Sequence, residues 1–587
     1  MKFLANVLAT IVGLFVFCMI FFFGLIFLAA IFGGGSEKVP VESNSVIVLD
    51  LSKVSLDYAG KFNYKELDYF DVKHDGLSDV VKAIETAKDD SDIKGISILN
   101  NNSSLGMAQI KAVRAALEDF KKSGKFVFSY ANYFTQKEYY LNSVADKIYL
   151  NPIGEMEFKG LSSELLFLKD FQEKYGIKME VIRHGKYKSA VEPFLENKMS
   201  DANREQITSL LNSLWTTMLK DISKSRGIAV TKLNQIADQL GARTPEMAKM
   251  QGLVDVVSYE DVYHQEIKKI LAVKNKDEYH TISILDYALN VATSSFESSS
   301  KNKIAVIYAQ GDIGSGEGDV NVIGEGSIRR SLQQARENDK IKAIVLRIDS
   351  PGGSGLTSDL IWREIEITKK VKPVVASMGN IAASGGYYIA CNSNTIFAED
   401  NTITGSIGVF GLLPNFSQLA TKMGINAEQI TTNKNGNDYS IFKPLSENYK
   451  FIAQEGVEKF YSTFLARVAA GRKMSIQQAD AVAQGRVWTG SEALKIGLID
   501  KIGGLDAAVL HAAKLAKIND YKTQNFPSYE KDFGDFLGNL GVPFMKTREN
   551  LIKEELGEEN YKIIEQIKRI QSRTGVQASL PFELVIH

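Results

Sequence analysis

An internal repeat constrains this 587-residue chain more than any other feature. Asp92-Ile-Lys-Gly-Ile-Ser-Ile-Leu99 matches Lys340-Ile-Lys-Ala-Ile-Val-Leu-Arg347, an offset of 248 positions (92 to 340). The same offset, without a gap, sets Ser129 on Ser377, Asn132 on Asn380, Tyr139-Tyr140 on Tyr387-Tyr388, Gly160 on Gly408 and Gly176-Ile177 on Gly424-Ile425. A chain this long exceeds a single hydrophobic core, and self-similarity at one offset says where it divides. In each copy, short apolar runs (96–99 and 126–129; 343–346 and 374–377) alternate with helical stretches. That alternation predicts parallel strands covered by helices, a duplicated α/β fold.

The copies differ where chemistry would sit. The second has Asp349-Ser-Pro-Gly-Gly353 and Ala383-Ser-Gly-Gly386; the first has Asn101-Asn-Ser-Ser-Leu105 and Thr135-Gln-Lys-Glu138, which puts Gln136 at the Ser384 position. Conversely, the first has Lys186-Tyr-Lys-Ser189 where the second has Lys434-Asn-Gly-Asn437. This complementary loss predicts one active site divided between the copies.

Ser384 follows the apolar run 373–378 in a turn of Ala, Ser and Gly, residues small enough for a strand to bend sharply into a helix. A hydroxyl at such a tip is exposed, and the next backbone N–H, of Gly385, can receive an oxyanion. Asp349-Ser-Pro-Gly-Gly-Ser354 can aim a second N–H, from Gly352 or Gly353, into the same cleft. No Gly-Lys-Ser/Thr follows, so it is not a phosphate loop. The hydroxyl needs a base. Six histidines occur and none is near Ser384 in sequence; only His184 lies close to a candidate, four residues before Lys188. A lysine serves if burial lowers its pKa from ~10.4. From the residues alone, both bases and a merely structural serine turn stay open.

At the N-terminus, residues 3–32 carry only Asn6 and Thr10 as polar side chains. About 20 apolar residues cross a bilayer, so 1–35 is read as a transmembrane anchor. Lys2 precedes it with no net charge just after, favouring the N-terminus inside and the body outside. The copies are then 45–292 and 302–520, joined by a Ser-rich linker at 293–301. A tail at 521–587 has Leu551, Ile552, Leu556, Ile563, Ile564, Ile567 and Ile570 at roughly helical spacing. It is read as a helix packing on the body or a neighbouring subunit, or else lying on a membrane. With 69 basic and 70 acidic residues, no global field recruits nucleic acid. The two cysteines, Cys18 and Cys391, support neither a disulfide framework nor a cysteine metal site.

Gly185-Lys-Tyr-Lys188-Ser-Ala-Val-Glu-Pro-Phe194, Ala382-Ala-Ser384-Gly-Gly-Tyr387, Leu346-Arg-Ile-Asp-Ser-Pro-Gly-Gly-Ser354, Thr404-Gly-Ser-Ile-Gly408 and Gly485-Arg-Val-Trp-Thr-Gly490 together resemble the signal peptide peptidase A (protease IV) family in its long, duplicated form. The resemblance runs from the anchor to about residue 515. It implies tandem Clp-protease/crotonase-like domains and a serine endopeptidase with a Ser-Lys dyad: Ser384 as nucleophile, Lys188 as base. It further implies that Ser406 orients the lysine and that Gly385 with Gly353 or Gly352 forms the oxyanion hole, with no metal or cofactor. Implied too are signal peptides and other apolar peptides as substrates, a homotetramer, and a single-pass place in the bacterial inner membrane with the catalytic body on the periplasmic side. A crotonase-type acyl-CoA enzyme, or a non-catalytic membrane scaffold, is the alternative.

Overall fold

The computed structural model describes residues 2–32, 38–64, 69–295, 300–436, 439–531 and 577–579. The apolar N-terminal run forms one helix, Lys2–Phe32. At 1.5 Å per residue its 31 residues reach about 46 Å, beyond the ~30 Å hydrocarbon core of a bilayer. No part of the stretch Asn6–Gly24 packs against the body, and it is long and apolar enough to span a membrane.

Each copy builds a sheet of parallel strands. In the first, Ile93–Leu99 lies between Ser45–Val48 and Phe126–Phe134, and Lys147–Met156 extends the far side, all parallel. Their inward residues (Ile47, Ile96, Ile98, Val127, Ile148) are fully buried against helices Leu77–Ala87 and Met107–Lys121. In the second, Lys303–Gln310, Ile341–Ser350 and Val374–Ala383 repeat that order, with helix Gly355–Lys369 at the position of Met107–Lys121. The continuous β-branched runs in these strands follow from burial on both sheet faces.

The sheet of the second copy continues past residue 520. Lys522–Phe526 pairs with residues 303–307 along one edge, and Ser528–Lys531 pairs with Lys61–Tyr64 of the first copy. The stretch read as the start of a helical tail is therefore strand, because its residues complete open sheet edges. The amphipathic helix expected over 551–570 lies outside the described residues. Helix Ile284–Ser295 runs into the Ser-rich segment, of which 296–299 also lie outside the described residues.

A third sheet joins the copies. Its strand order is Val322–Gly324, Asp312–Gly314, Gly352–Ser354, Gln577–Ser579, Val409–Asn415 and Lys178–His184. Only the last comes from the first copy, and it pairs antiparallel with 409–415 along its whole length, Val409 opposite His184 and Asn415 opposite Lys178. The equivalent positions of each strand in the opposite copy, 426–432 and 161–167, form no strand. Buried polar contacts lock the halves nearby. Arg347 Nε donates to Asp57 Oδ2 at 2.6 Å, and Gln109 Nε2 donates to Asp57 Oδ1 at 2.8 Å. Asn380 Oδ1 accepts from the N–H groups of Ala108 and Gln109, so the second copy caps a helix of the first.

Candidate active site

Strand Val374–Ala383 ends at Ser384, which begins helix Gly385–Ala390 with φ 55° and ψ −112°. A non-glycine residue with positive φ stores about 1–3 kcal/mol of strain and is held only where its surroundings over-determine it. Here Ser384 N donates to Gly405 O at 2.8 Å, and its carbonyl accepts from Tyr388 N. The bend turns Oγ away from the strand and leaves the first N–H groups of the helix beside it. Ser406 is a second positive-φ residue (49°), fixed by N–H donation to Arg486 O at 2.7 Å.

Lys188 arrives on the crossing strand. After His184 the chain turns at Gly185 (φ 116°), and Tyr187 N donates to Gln484 O at 2.8 Å, tying the turn to the second copy. Lys188 Nζ lies 2.9 Å from Ser384 Oγ, 2.9 Å from Ser406 Oγ and 3.2 Å from Ser406 O. All three side chains are fully buried. Burial pushes the Lys188 amine well below the ordinary lysine range. A neutral amine has two N–H donors and one lone pair. With two N–H groups donated to the Ser406 carbonyl and hydroxyl oxygens, a neutral amine would keep its lone pair for the Ser384 O–H, which also lies 3.5 Å from Gly408 O.

The two glycine loops flank this group. Gly352 (φ 101°) and Gly353 (φ 152°) adopt backbone conformations that side chains disfavour. A Cβ on Gly352 would lie 2.8 Å from Gly385 N, so the two loops meet at the serine. Gly352 N is already committed, donating to Ser350 Oγ at 3.1 Å.

His184, the other base weighed from sequence, lies elsewhere. Its Nδ1 is 2.7 Å from Glu458 Oε2, and its ring stacks on Tyr461 at 3.8 Å. In the first copy, Gln136 stands where Ser384 would and works structurally: its Oε1 accepts from Lys159 N and Gly160 N, both at 2.9 Å, while Nε2 donates to Gly160 O. Sequence reasoning gave Gly485 no role. A Cβ there would lie 2.6 Å from Lys188 N and 2.7 Å from Lys188 Cβ, and its φ is 79°. Its place in the Gly-Arg-Val-Trp-Thr-Gly motif was the only signal. Among the described residues, no group of three His, Cys, Asp or Glu could share a metal ion.

A strained serine at a helix start, met by a buried amine and glycine loops, defines a serine hydrolase. The chain belongs to peptidase family S49, whose profile matches residues 119–274 and 366–519, one match in each copy, and it is a serine peptidase. It is 37% identical over 459 residues to Protease 4 of Haemophilus influenzae, covering 76% of this chain and 74% of that one. Identity to Protease 4 of Salmonella typhi is 37% over 460 residues (77% and 74%). Identity to the chloroplastic serine protease SPPA of Arabidopsis thaliana is 34% over 434 residues (73% and 64%).

Proposed function

We propose that the protein is a membrane-anchored endopeptidase that degrades signal peptides after their release from exported proteins, using Ser384 as nucleophile and Lys188 as general base. The observation that carries this is the 2.9 Å contact between a fully buried Lys188 amine and Ser384 Oγ. Neutral Lys188 takes the hydroxyl proton as Oγ attacks the peptide carbonyl. The N–H groups of Gly385 and Gly353 stabilise the oxyanion; Gly353 is favoured over Gly352, whose N–H serves Ser350. Lys188 then protonates the leaving amine, and water hydrolyses the acyl-enzyme. Ser406 orients the amine.

In this reading each copy is a Clp-protease/crotonase-like domain. The helix Lys2–Phe32 holds the body on the extracytoplasmic face of the bacterial inner membrane as part of a homotetramer. Released signal peptides are apolar and lie in that bilayer, so anchoring concentrates enzyme beside substrate. The test is hydrolysis of an apolar peptide ester by the full chain in detergent, beside Ser384→Ala and Lys188→Ala. Both variants should fold and lose activity; an active Lys188→Ala would remove lysine from the mechanism.

A further inference from the structure

The edge where the strands of the second sheet begin is strongly positive. Lys303 N donates to Lys340 O, Ile344 N donates to Pro373 O, and Lys522 stands opposite Lys303, so the starts of these strands lie side by side. Leu515, between Lys514 and Lys517, joins Lys370, Lys372 and Asn394 in lining a hollow of about 230 Å³ there. Segments 301–303, 337–342, 370–372 and 514–522 bring nine lysines against three acidic residues, a net charge of +6. Lys301, Lys340, Lys342, Lys370, Lys514 and Lys517 are exposed, and none pairs with a carboxylate among the described residues. Burial, with Lys522 and Lys340 alongside, pushes the Lys303 amine below the ordinary lysine range.

The first copy does not share this charge. At the offset of 248 positions, Lys340 stands for Asp92 and Lys372 for Gly124. Asp119 pairs with Lys88 at 2.8 Å and Asp146 with Lys121 at 2.7 Å, whereas the second copy has Ile367 and Asn394 at those two positions. One copy neutralises its edge internally; the other leaves it charged. The place of that edge says which anion it meets. Lys38, six residues past the end of helix Lys2–Phe32, donates to Ser294 Oγ at 3.3 Å, and Val39 O accepts from Asn290 Nδ2 at 2.6 Å. The chain leaving the apolar helix is thus held on helix Ile284–Ser295. That helix packs on Leu77–Ala87, whose Lys82 faces Tyr521, the neighbour of Lys522. About one helix width, ~8–10 Å, lies between the exit of the anchor and the lysine edge.

We propose that the lysine edge rests on anionic phospholipid headgroups of the bilayer that holds helix Lys2–Phe32. The proposal rests on the membrane-anchored reading. A negatively charged bilayer attracts clustered lysines, each biased toward the surface about fivefold. The four segments contain lysine and no arginine. Lysine is a flexible point charge, which suits a fluid array of headgroups better than one fixed, bidentate ligand. The second copy, which carries Ser384, is then seated on the membrane surface as well as tethered to it.

Amine-reactive footprinting of the full chain tests this, read by peptide mass spectrometry in detergent and in nanodiscs of phosphatidylcholine alone or mixed with phosphatidylglycerol. Lys340, Lys370, Lys514 and Lys517 should react about fivefold more slowly in the anionic discs. Raising NaCl to about 1 M, where charges are screened within ~3 Å, should restore their rate. Lys159 and Lys186, exposed beyond the opposite ends of the strands, should react alike in both discs. The combined variant Lys340→Glu, Lys370→Glu, Lys514→Glu should free Lys517 in the anionic discs and keep peptide-ester hydrolysis at the wild-type rate. Equal rates in the two discs overturn lipid recognition and leave the anchor standing. Equally slow reaction in detergent shows the edge covered by protein and overturns it too. Protection of Lys517 that survives in the variant overturns the assignment to these lysines. A chain that co-purifies with neither disc overturns the anchor as well.

Discussion

Gly485→Ala isolates backbone positioning of the lysine from the chemistry of its amine. The new methyl carbon would sit 2.6 Å from Lys188 N, 2.7 Å from its Cβ and 2.8 Å from its Cα. Ordinary contact begins near 3.4 Å, so the Lys188 backbone must retreat by about 0.6 to 0.8 Å. The left-handed φ of 79° adds about 1–2 kcal/mol of strain for a residue with a Cβ. A misplacement of about 1 Å can cost ~10²-fold in rate, so kcat/KM for a peptide ester should fall about 30- to 100-fold, equivalent to about 2–2.7 kcal/mol. The assay pairs that rate with a thermal melt. Gly456→Ala, in helix Glu447–Arg472 with open space where its Cβ would stand, is the control and should keep the rate, with a melt equal to or above that of the wild type because Ala favours the helix over Gly. A folded Gly485→Ala with wild-type kcat/KM would refute the claim that this glycine sets where the lysine stands.

Lys188→Met should change the pH dependence of stability. Between the ordinary lysine pKa near 10.4 and the lowered native value, the unfolded chain binds a proton that the native one does not. Wild type therefore loses about 1.4 kcal/mol per pH unit as pH falls through that window, and the loss stops below the native pKa. The melting temperature of Lys188→Met relative to wild type should rise as pH falls from 10 toward 8; a constant difference would sink the argument. Ser406→Ala removes one acceptor from the amine and keeps the carbonyl, so kcat/KM should drop about tenfold, the worth of one hydrogen bond of ~1–1.5 kcal/mol. An unchanged rate would deny it an orienting role. Asp57→Ala leaves Arg347 buried without its carboxylate and should cost about 3–5 kcal/mol in chemical unfolding, with Asp57→Asn recovering part; a loss under about 1 kcal/mol would show that the pair does not lock the halves.

The offset of 248 positions carried much of the architecture, because duplicated strands keep both their apolar runs and their spacing. Parallel order within each sheet followed from the alternation of strand and helix. Ser384 and Lys188 were legible as candidates because their motifs differ between the copies, and the structure brings them within 2.9 Å. The crossing of 178–184 into the second copy was not legible, since the register of an antiparallel pair 231 positions apart (178 to 409) leaves no periodic trace in either segment. Gly485 stayed silent for a related reason: a glycine that makes room for a distant backbone looks like any turn glycine. The strand 577–579 is too short to show alternation, and the helical pattern upstream of it drew the reading toward a different element.

Strand Lys178–His184 has a consequence for biosynthesis. It leaves the ribosome while 409–415, its one strand partner among the described residues, has still to be made. At usual translation rates that gap lasts roughly 10 to 50 s. Until it closes, the lysine is not brought to the serine, which its own copy holds through Gly405 O and Tyr388 N. With Ser384 and Lys188 as the proposed dyad, a nascent chain would hold no assembled site until both copies have closed. The duplication works as an interlock whose two keys are translated at different times.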